Sequence, residues 1–193
     1  MLYTDNQAQA LRLKNYPKRT NDTMSNEEPL SGTLNLTIQD LNHKIDAIYR
    51  HGVLQEEYSR QVHDYGEGNL MTETEAHTLG YICDNHEVTV THLAETFFRT
   101  KGTISKLLAR LEEKGLIARI QRDGNKKWVY FKPTEKGLRA NELHRSYDRV
   151  KTLEMLEALL KDSTIEEIES FYKITALRTL FLEKQRQNNS NSL

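Results

Sequence analysis

Residues 91–137 read THLAETFFRTKGTISKLLARLEEKGLIARIQRDGNKKWVYFKPTEKG, and this stretch decides the fold. In order it offers a short helix, a tight turn, a second helix with a basic outer face, and a basic two-stranded hairpin. A protein needs that succession to lay one helix in a DNA major groove while a β-wing touches the flanking backbone. Thr100 stands where an N-cap belongs, its hydroxyl able to accept an amide of the first helical turn. Behind it Ile104, Leu107, Leu108 and Leu111 recur at i, i+3, i+4 and i+7, one apolar stripe that must face a core. At about 100° per residue the opposite face carries Gly102, Thr103, Lys106, Arg110 and Glu113. Small residues, hydroxyls and cations on one face suit close approach to phosphates and base edges. Gly115 then ends the helix as its left-handed cap. Residues 116–122 alternate as a strand, DGN (123–125) is a turn, and residues 127–132 form the returning strand. The DNA-facing set is Thr100, Lys101, Gly102, Thr103, Ser105, Lys106 and Arg110 on the helix, with Arg122, Asn125, Lys126 and Lys127 on the wing.

A solvated amphipathic helix before an ordinary hairpin is the bland alternative, and charge weighs against it. Between Arg99 and Lys132 there are ten Lys or Arg and three Asp or Glu, a local balance of +7 in a chain whose net charge is −1. One strongly basic segment in a near-neutral chain gathers the polyanion-binding surface in one place. A winged helix used to bind protein would instead present an apolar or acidic recognition face. Enzyme classes find no support: there is no Gly-x-Ser-x-Gly elbow, no Walker loop and no Gly-rich dinucleotide fingerprint. The 193 residues allow one ordinary domain plus extensions. Hydrophobic content of 37% and a mean hydropathy of −0.73 point to exposed tails and long solvent-facing helices. No stretch has the length of a membrane span and the N-terminus lacks a signal-peptide apolar core, so a cytoplasmic protein is expected.

At these residues the chain resembles the MarR family of bacterial transcriptional regulators. The likeness runs without a gap over residues 71–137: LAETFFRTKGTISKLLARLEEKGLI looks like the family's helix-turn-helix, and RIQRDGNKKWVYFKPTEKG has the length and ending of its wing. Two positions depart from the pattern. Where the family's wing usually carries Asp followed by Arg residues, this chain has Asn125, Lys126 and Lys127, and lysine lacks the planar fork of arginine. Where the family frequently has a turn glycine this chain has Phe98, which such a turn tolerates when φ is negative. The resemblance implies a mainly α fold with a small β-wing, a homodimer formed through the first and last helices, double-stranded promoter DNA as partner, and a small effector bound between those helices and the heads.

The remaining chain is read around that head. Residues 1–33 are polar and breaker-rich and are expected to be a disordered extension, as are residues 188–193. Residues 34–187 form the MarR-like domain. A long helix is expected over 37–63, with Ile38, Leu41, Ile45, Ile48 and Tyr49 on one face. Thr72 caps a helix with Ala76, Leu79, Ile82 and Cys83 on its apolar face, and residues 88–90 read as a short strand. Residues 134–187 supply two helices, to about 162 and from 163, the second opened by a capping box of Ser163 with Glu166. Leu153, Leu156, Leu159 and Leu160 mark one stripe; Ile165, Ile168, Phe171, Leu177, Leu180 and Phe181 mark the other. A head of about 65 residues has too little core to cover them all, whereas a second copy would, and symmetry would set two recognition helices roughly 34 Å apart for a palindromic site.

Two residue sets invite sharper readings. Cys83, alone and on an apolar face, reads as a buried inert thiol rather than a redox sensor. His144 and Asp148 form an i, i+4 pair able to chelate a divalent ion. His77 stands where zinc-responsive relatives place a ligand, although Ala76 and Leu143 occupy positions where those relatives carry further ones. The expected protein needs no cofactor; a zinc-responsive regulator with His77, His144 and Asp148 as ligands is the alternative, with Glu57 as a weaker candidate. The reading is a promoter-binding homodimeric regulator, a repressor before an activator.

Overall fold

The computed structural model describes residues 37–85, 87–122 and 125–190, without the side chains of 122, 125–128, 189 and 190. The extension expected over 1–33 and the last three residues of the tail lie outside the described residues. The chain forms two compact units, 1–62 and 63–193.

The described part of the first unit is one helix, α1 (Ile38–Arg60). A capping box starts it: Thr37 Oγ1 accepts from the Asp40 amide, and Asp40 Oδ2 accepts from the Thr37 amide, both at 3.1 Å. It stops at Arg60, short of the expected residue 63. None of its residues is buried, and Leu41, Ile45, Ile48, Tyr49, Val53, Leu54 and Tyr58 lie exposed along it.

A small hairpin follows, β1 (Val62–Asp64) and β2 (Leu70–Thr72), which takes residues 62 and 63 from the expected helix. Then come α2 (Glu73–Asn85), α3 (Val90–Thr96), α4 (Lys101–Glu113), the antiparallel wing β3 (Ile117–Arg122) and β4 (Asn125–Pro133), α5 (Glu135–Leu159) and α6 (Ile165–Ser190). The expected strand over 88–90 is a correction. Val88 makes only an isolated bridge to Phe131, and α3 starts at Val90 because the Thr89 hydroxyl caps it, accepting from the His92 amide at 3.1 Å. The α6 box also moves by one residue. Thr164 and Glu167 form it, while the Ser163 hydroxyl donates to Leu159 O at 2.8 Å and closes the preceding helix. Helix α6 continues to Ser190, beyond the expected 187.

The core sits in the head. Met71, Leu79, Ile82, Leu93, Ile104, Leu108, Leu111 and Leu116 are all at or below 2% exposed, drawn from β2, α2, α3, α4 and the start of the wing. Burying each large aliphatic side chain contributes about 1.5–3 kcal/mol, so Leu111→Ala, which also leaves a cavity, costs about 2–5 kcal/mol. The N-terminal half of α5 joins through Gly137, Ala140, Asn141 and His144. Gly137 is required there: a Cβ would lie 1.9 Å from Leu116 O, the carbonyl that also accepts from the Thr134 amide at 3.1 Å. Beyond this half, Val150, Leu153, Met155 and Leu159 of α5 are exposed, as are Ile165, Phe171, Ile174, Leu177, Leu180 and Phe181 of α6.

Candidate nucleic-acid interface

Helix α4 faces outward as its pattern dictates. Ile104, Leu107, Leu108 and Leu111 are buried, while Lys101, Gly102, Thr103, Ser105, Lys106 and Arg110 are exposed. Thr100 is the N-cap, its Oγ1 accepting from the Thr103 amide at 3.1 Å. Gly115 (φ +69°) ends the helix with both bonds of a Schellman motif: its amide to Glu112 O and the Leu116 amide to Leu111 O, each 2.9 Å. The chain therefore turns straight from α4 into the wing.

The same motif ends α3, where the residue is not glycine. The Phe98 amide reaches Glu95 O at 3.3 Å and the Arg99 amide reaches Ala94 O at 3.0 Å, with Phe98 at φ +53°. The negative φ that would spare Phe98 strain is absent, because a tight turn between α3 and α4 needs a left-handed residue at this point. The half-exposed ring is covered on one face by the Arg186 guanidinium of α6, 4.4 Å from its centroid.

The wing pairs Ile117 with Pro133, Arg119 with Phe131 and Gln121 with Val129; an irregularity after Gln121 then brings Arg122 opposite Asn125. Asn125 thus belongs to β4 rather than to the turn, and the returning strand begins two residues earlier than expected. Lys126 and Lys127 follow it at the tip, while the side chains of Arg122, Asn125, Lys126 and Lys127 lie outside the described residues. Arg119 is engaged locally, bound to Glu112 at 3.0 Å and stacked on Phe131.

Arg110 departs from the expected arrangement. Its Nε donates to Oε1 of Glu75 at 2.7 Å, and Lys114 Nζ donates to Oε2 of the same carboxylate at 2.8 Å. The Thr72 amide supplies a third bond at 3.0 Å. Burial raises the pKa of Glu75, but bonds from Lys114, the Thr72 backbone and Arg110, with the Lys114 charge, outweigh it and hold the carboxyl below its ordinary value. The sequence signal was present: Thr72-x-x-Glu75 is a capping box, and each partner's bond to the other's amide forms. A pairing 35 residues away along the chain leaves no such local mark.

A second cluster lies where α2 meets α5. Ligand atoms of His77, His144 and Asp148 all fall within 4.8 Å of one another. His144 is buried against the edge-on ring of Tyr65, 4.8 Å between centroids. Its Nε2 lies 2.9 Å from Asp148 Oδ2, yet neither ring nitrogen has a hydrogen-bonded partner among the described residues. Burial lowers the His144 pKa, Asp148 opposes, and His77 and Arg145 add to the lowering, so the neutral imidazole is favoured. A neutral histidine with unsatisfied nitrogens beside a carboxylate and a second histidine fits a divalent cation such as zinc. Cys83 is 8% exposed and its thiol is pushed up to about 11 by burial, then by Asp84, with Arg145 opposing; it is protonated at neutral pH.

Helix, tight turn, recognition helix and β-hairpin in unbroken order define a winged helix-turn-helix protein. The MarR family model matches residues 71–127, from the last strand of the hairpin before α2 into the returning strand of the wing. The chain is 37% identical over 84 residues to an uncharacterized HTH-type transcriptional regulator, YhjH of Bacillus subtilis, covering 44% of this chain and 48% of that protein. The chain thus spans about half the length of that relative. Among solved structures it is similar to Streptococcus pneumoniae FabT in complex with DNA: TM-score 0.55, 25% identity, 76% of this chain and 97% of that one. Lactococcus lactis ZitR, a zinc-responsive MarR family member, gives TM-score 0.54 at 20% identity, covering 74% of this chain and 99% of that one. No helix among the described residues is long and apolar enough to cross a membrane.

Proposed function

We propose that this protein is a DNA-binding transcriptional regulator of the cytoplasm, a repressor acting as a homodimer on palindromic promoter sites and released by a small organic effector. The observation that carries the reading is α4, which buries its leucines and turns Lys101, Gly102, Thr103, Ser105 and Lys106 to solvent directly before a basic wing. A DNA complex of the similar FabT supports the same use of this fold. The uncovered apolar stripes of α1 and of α6 support assembly with a second copy. An effector shifts operator binding only by favouring one head spacing over another. The test is binding of genomic fragments, followed by footprinting, across a salt series. Six to ten phosphate contacts would weaken binding by about 10³–10⁵ between roughly 50 and 200 mM salt, and an affinity that hardly changes would sink the reading.

A second reading is carried by the histidine cluster. Zinc would be held by His77, His144 and Asp148, joining α2, which leads into the head, to α5. The ion would supply a cross-link between helices, and the zinc-responsive ZitR shares this fold. Calorimetric titration with zinc alone should give one site per protomer that His77→Ala and His144→Ala both remove. Duplex binding by wild type should then rise with free zinc, and the exposed His77 can be changed without opening the core. Identical binding curves in zinc and in chelator would leave the organic effector as the signal.

A further inference from the structure

We infer that the cleft between the start of α2 and the outer face of α4 is a seat for one DNA backbone phosphate, with Glu75 as the positioning residue that aims Arg110 at it. The inference rests on the DNA-binding reading and assigns Arg110 a role other than reading a base. The cleft, about 340 Å³, is lined by Thr74, Thr100, Thr103, Lys106 and Arg110 among others. Two cations and three hydroxyls meet there, and no carboxylate is among the lining residues. That donor set complements a phosphate diester, an anion whose oxygens accept from Lys, Arg and Thr alike.

Glu75 explains why Arg110 serves this seat. The carboxylate is 4% exposed, too enclosed to meet DNA, and it grips Nε, the inner edge of the guanidinium. Among the described residues the two terminal nitrogens of Arg110 have no acceptor, and its side chain, 54% exposed, lines the cleft. A guanidinium pinned at Nε presents those two nitrogens as a fixed fork, the geometry that matches phosphate bidentately. The same grip keeps the side chain from extending into a groove. Base edges are reached from the N-terminal residues of a recognition helix, whereas Arg110 stands in the third turn of α4. Lys114 shares the carboxylate from one turn further on, so α4 is tied to α2 by two cations on one buried anion. Glu75 carries one negative charge against two positive ones, and Arg110, one of the two, lines the cleft.

The experiment measures duplex affinity across a salt series for wild type, Arg110→Ala, Arg110→Lys, Glu75→Gln and the double variant Glu75→Gln/Arg110→Ala, with melting curves for each. Two probes are used: a site selected by the wild type from random duplexes, and an unselected mixed-sequence duplex. Arg110→Ala should weaken both probes by the same factor, about tenfold or more, and flatten the log–log salt slope by about 0.9, the loss of one phosphate contact. Arg110→Lys should keep the slope and lose affinity, because charge stays while the fork goes. Glu75→Gln should weaken both probes in the Arg110 background and add nothing once Arg110 is alanine. A loss confined to the selected site overturns the inference and leaves DNA binding standing. An effect of Glu75→Gln that adds fully to Arg110→Ala makes Glu75 a purely structural brace and overturns the inference in the same way. Arg110→Ala leaves Glu75 its bonds to Lys114 and Thr72, so it decides the phosphate seat even if Glu75→Gln unfolds the head. Wild type that binds neither probe at low salt overturns the inference together with the reading beneath it.

Discussion

Phe98 and Gly115 occupy equivalent positions at the ends of α3 and α4, both left-handed and both closing a Schellman turn, but only one can do so without strain. A side chain at that φ costs about 1–2 kcal/mol, while glycine gives back roughly 0.5–1 kcal/mol through the freer unfolded chain. Phe98→Gly should therefore stabilise the head by about 0.5–1 kcal/mol in denaturant titration, less whatever the Arg186 contact supplies. Phe98→Ala keeps the strain and should give no gain; equal behaviour of the two variants would show that backbone strain is not what Phe98 carries. Glu75 supports a second prediction at this scale. Its pKa is depressed in the fold from an ordinary value of 4.5, so its stabilisation is complete above about pH 4.5 and fades as pH falls through the lower folded pKa. The stability gap between wild type and Glu75→Gln should thus be flat at neutral pH and close on the acid side. A gap that persists unchanged into strong acid would mean that the ion pairs with Arg110 and Lys114 are not its source.

Helix α4 and the start of α5 show which elements were legible in the sequence and which were not. The buried stripe of α4, its Thr100 cap and its Gly115 stop are local chemistry, and local spacing suffices to read them. The Thr134 cap of α5, its hydroxyl accepting from the Gly137 amide, is local chemistry of the same kind. Short-range ambiguity misleads where two residues can do one job: Ser163 and Thr164 both precede a Glu by three, and only packing of Ser163 on Leu159 O decides between them. Val88 to Val90 looks like a strand because β-branched residues favour one, but the Thr89 cap outweighs that preference once α3 has leucine to bury. Long-range pairings such as Arg110 with Glu75 have no local mark at all. The His144–Asp148 spacing is visible, and its proximity to His77 comes from resemblance rather than from pattern. Gly137 is the element-scale test of how the wing is joined to α5. Gly137→Ala drives a Cβ against the Leu116 carbonyl, a backbone atom that cannot rotate away, and should cost about 3 kcal/mol or more. The wing should also shift and duplex affinity fall with it. A stable variant with normal DNA binding would mean that α5 can move away from Leu116 without consequence.

For the whole molecule the main physical problem is uncovered apolar surface. Leu177 and Leu180 are 52% and 61% exposed in a single chain, and Phe171, Ile174 and Phe181 on the same helix are equally bare. Ordinary solvent-facing helices do not carry so continuous a run, and α1 separately presents Leu41, Ile45, Ile48 and Tyr49. A second copy covering these stripes would stabilise helices that the head alone cannot, and it would set two α4 helices for one palindrome. Leu177→Asp with Leu180→Asp discriminates because single-chain exposure and dimer burial predict opposite results. On a free surface the two aspartates should change stability by only about 0.5 kcal/mol each. In an interface they bury two charges without partners, so the variant should sediment as a monomer or lose its helical signal, and duplex affinity should collapse although no residue of α4 or the wing has been touched. Sedimentation of wild type as a monomer at micromolar concentration would refute the homodimer outright. A dimeric wild type with an equally dimeric double variant would place the interface elsewhere, and α1 would be the next stripe to charge.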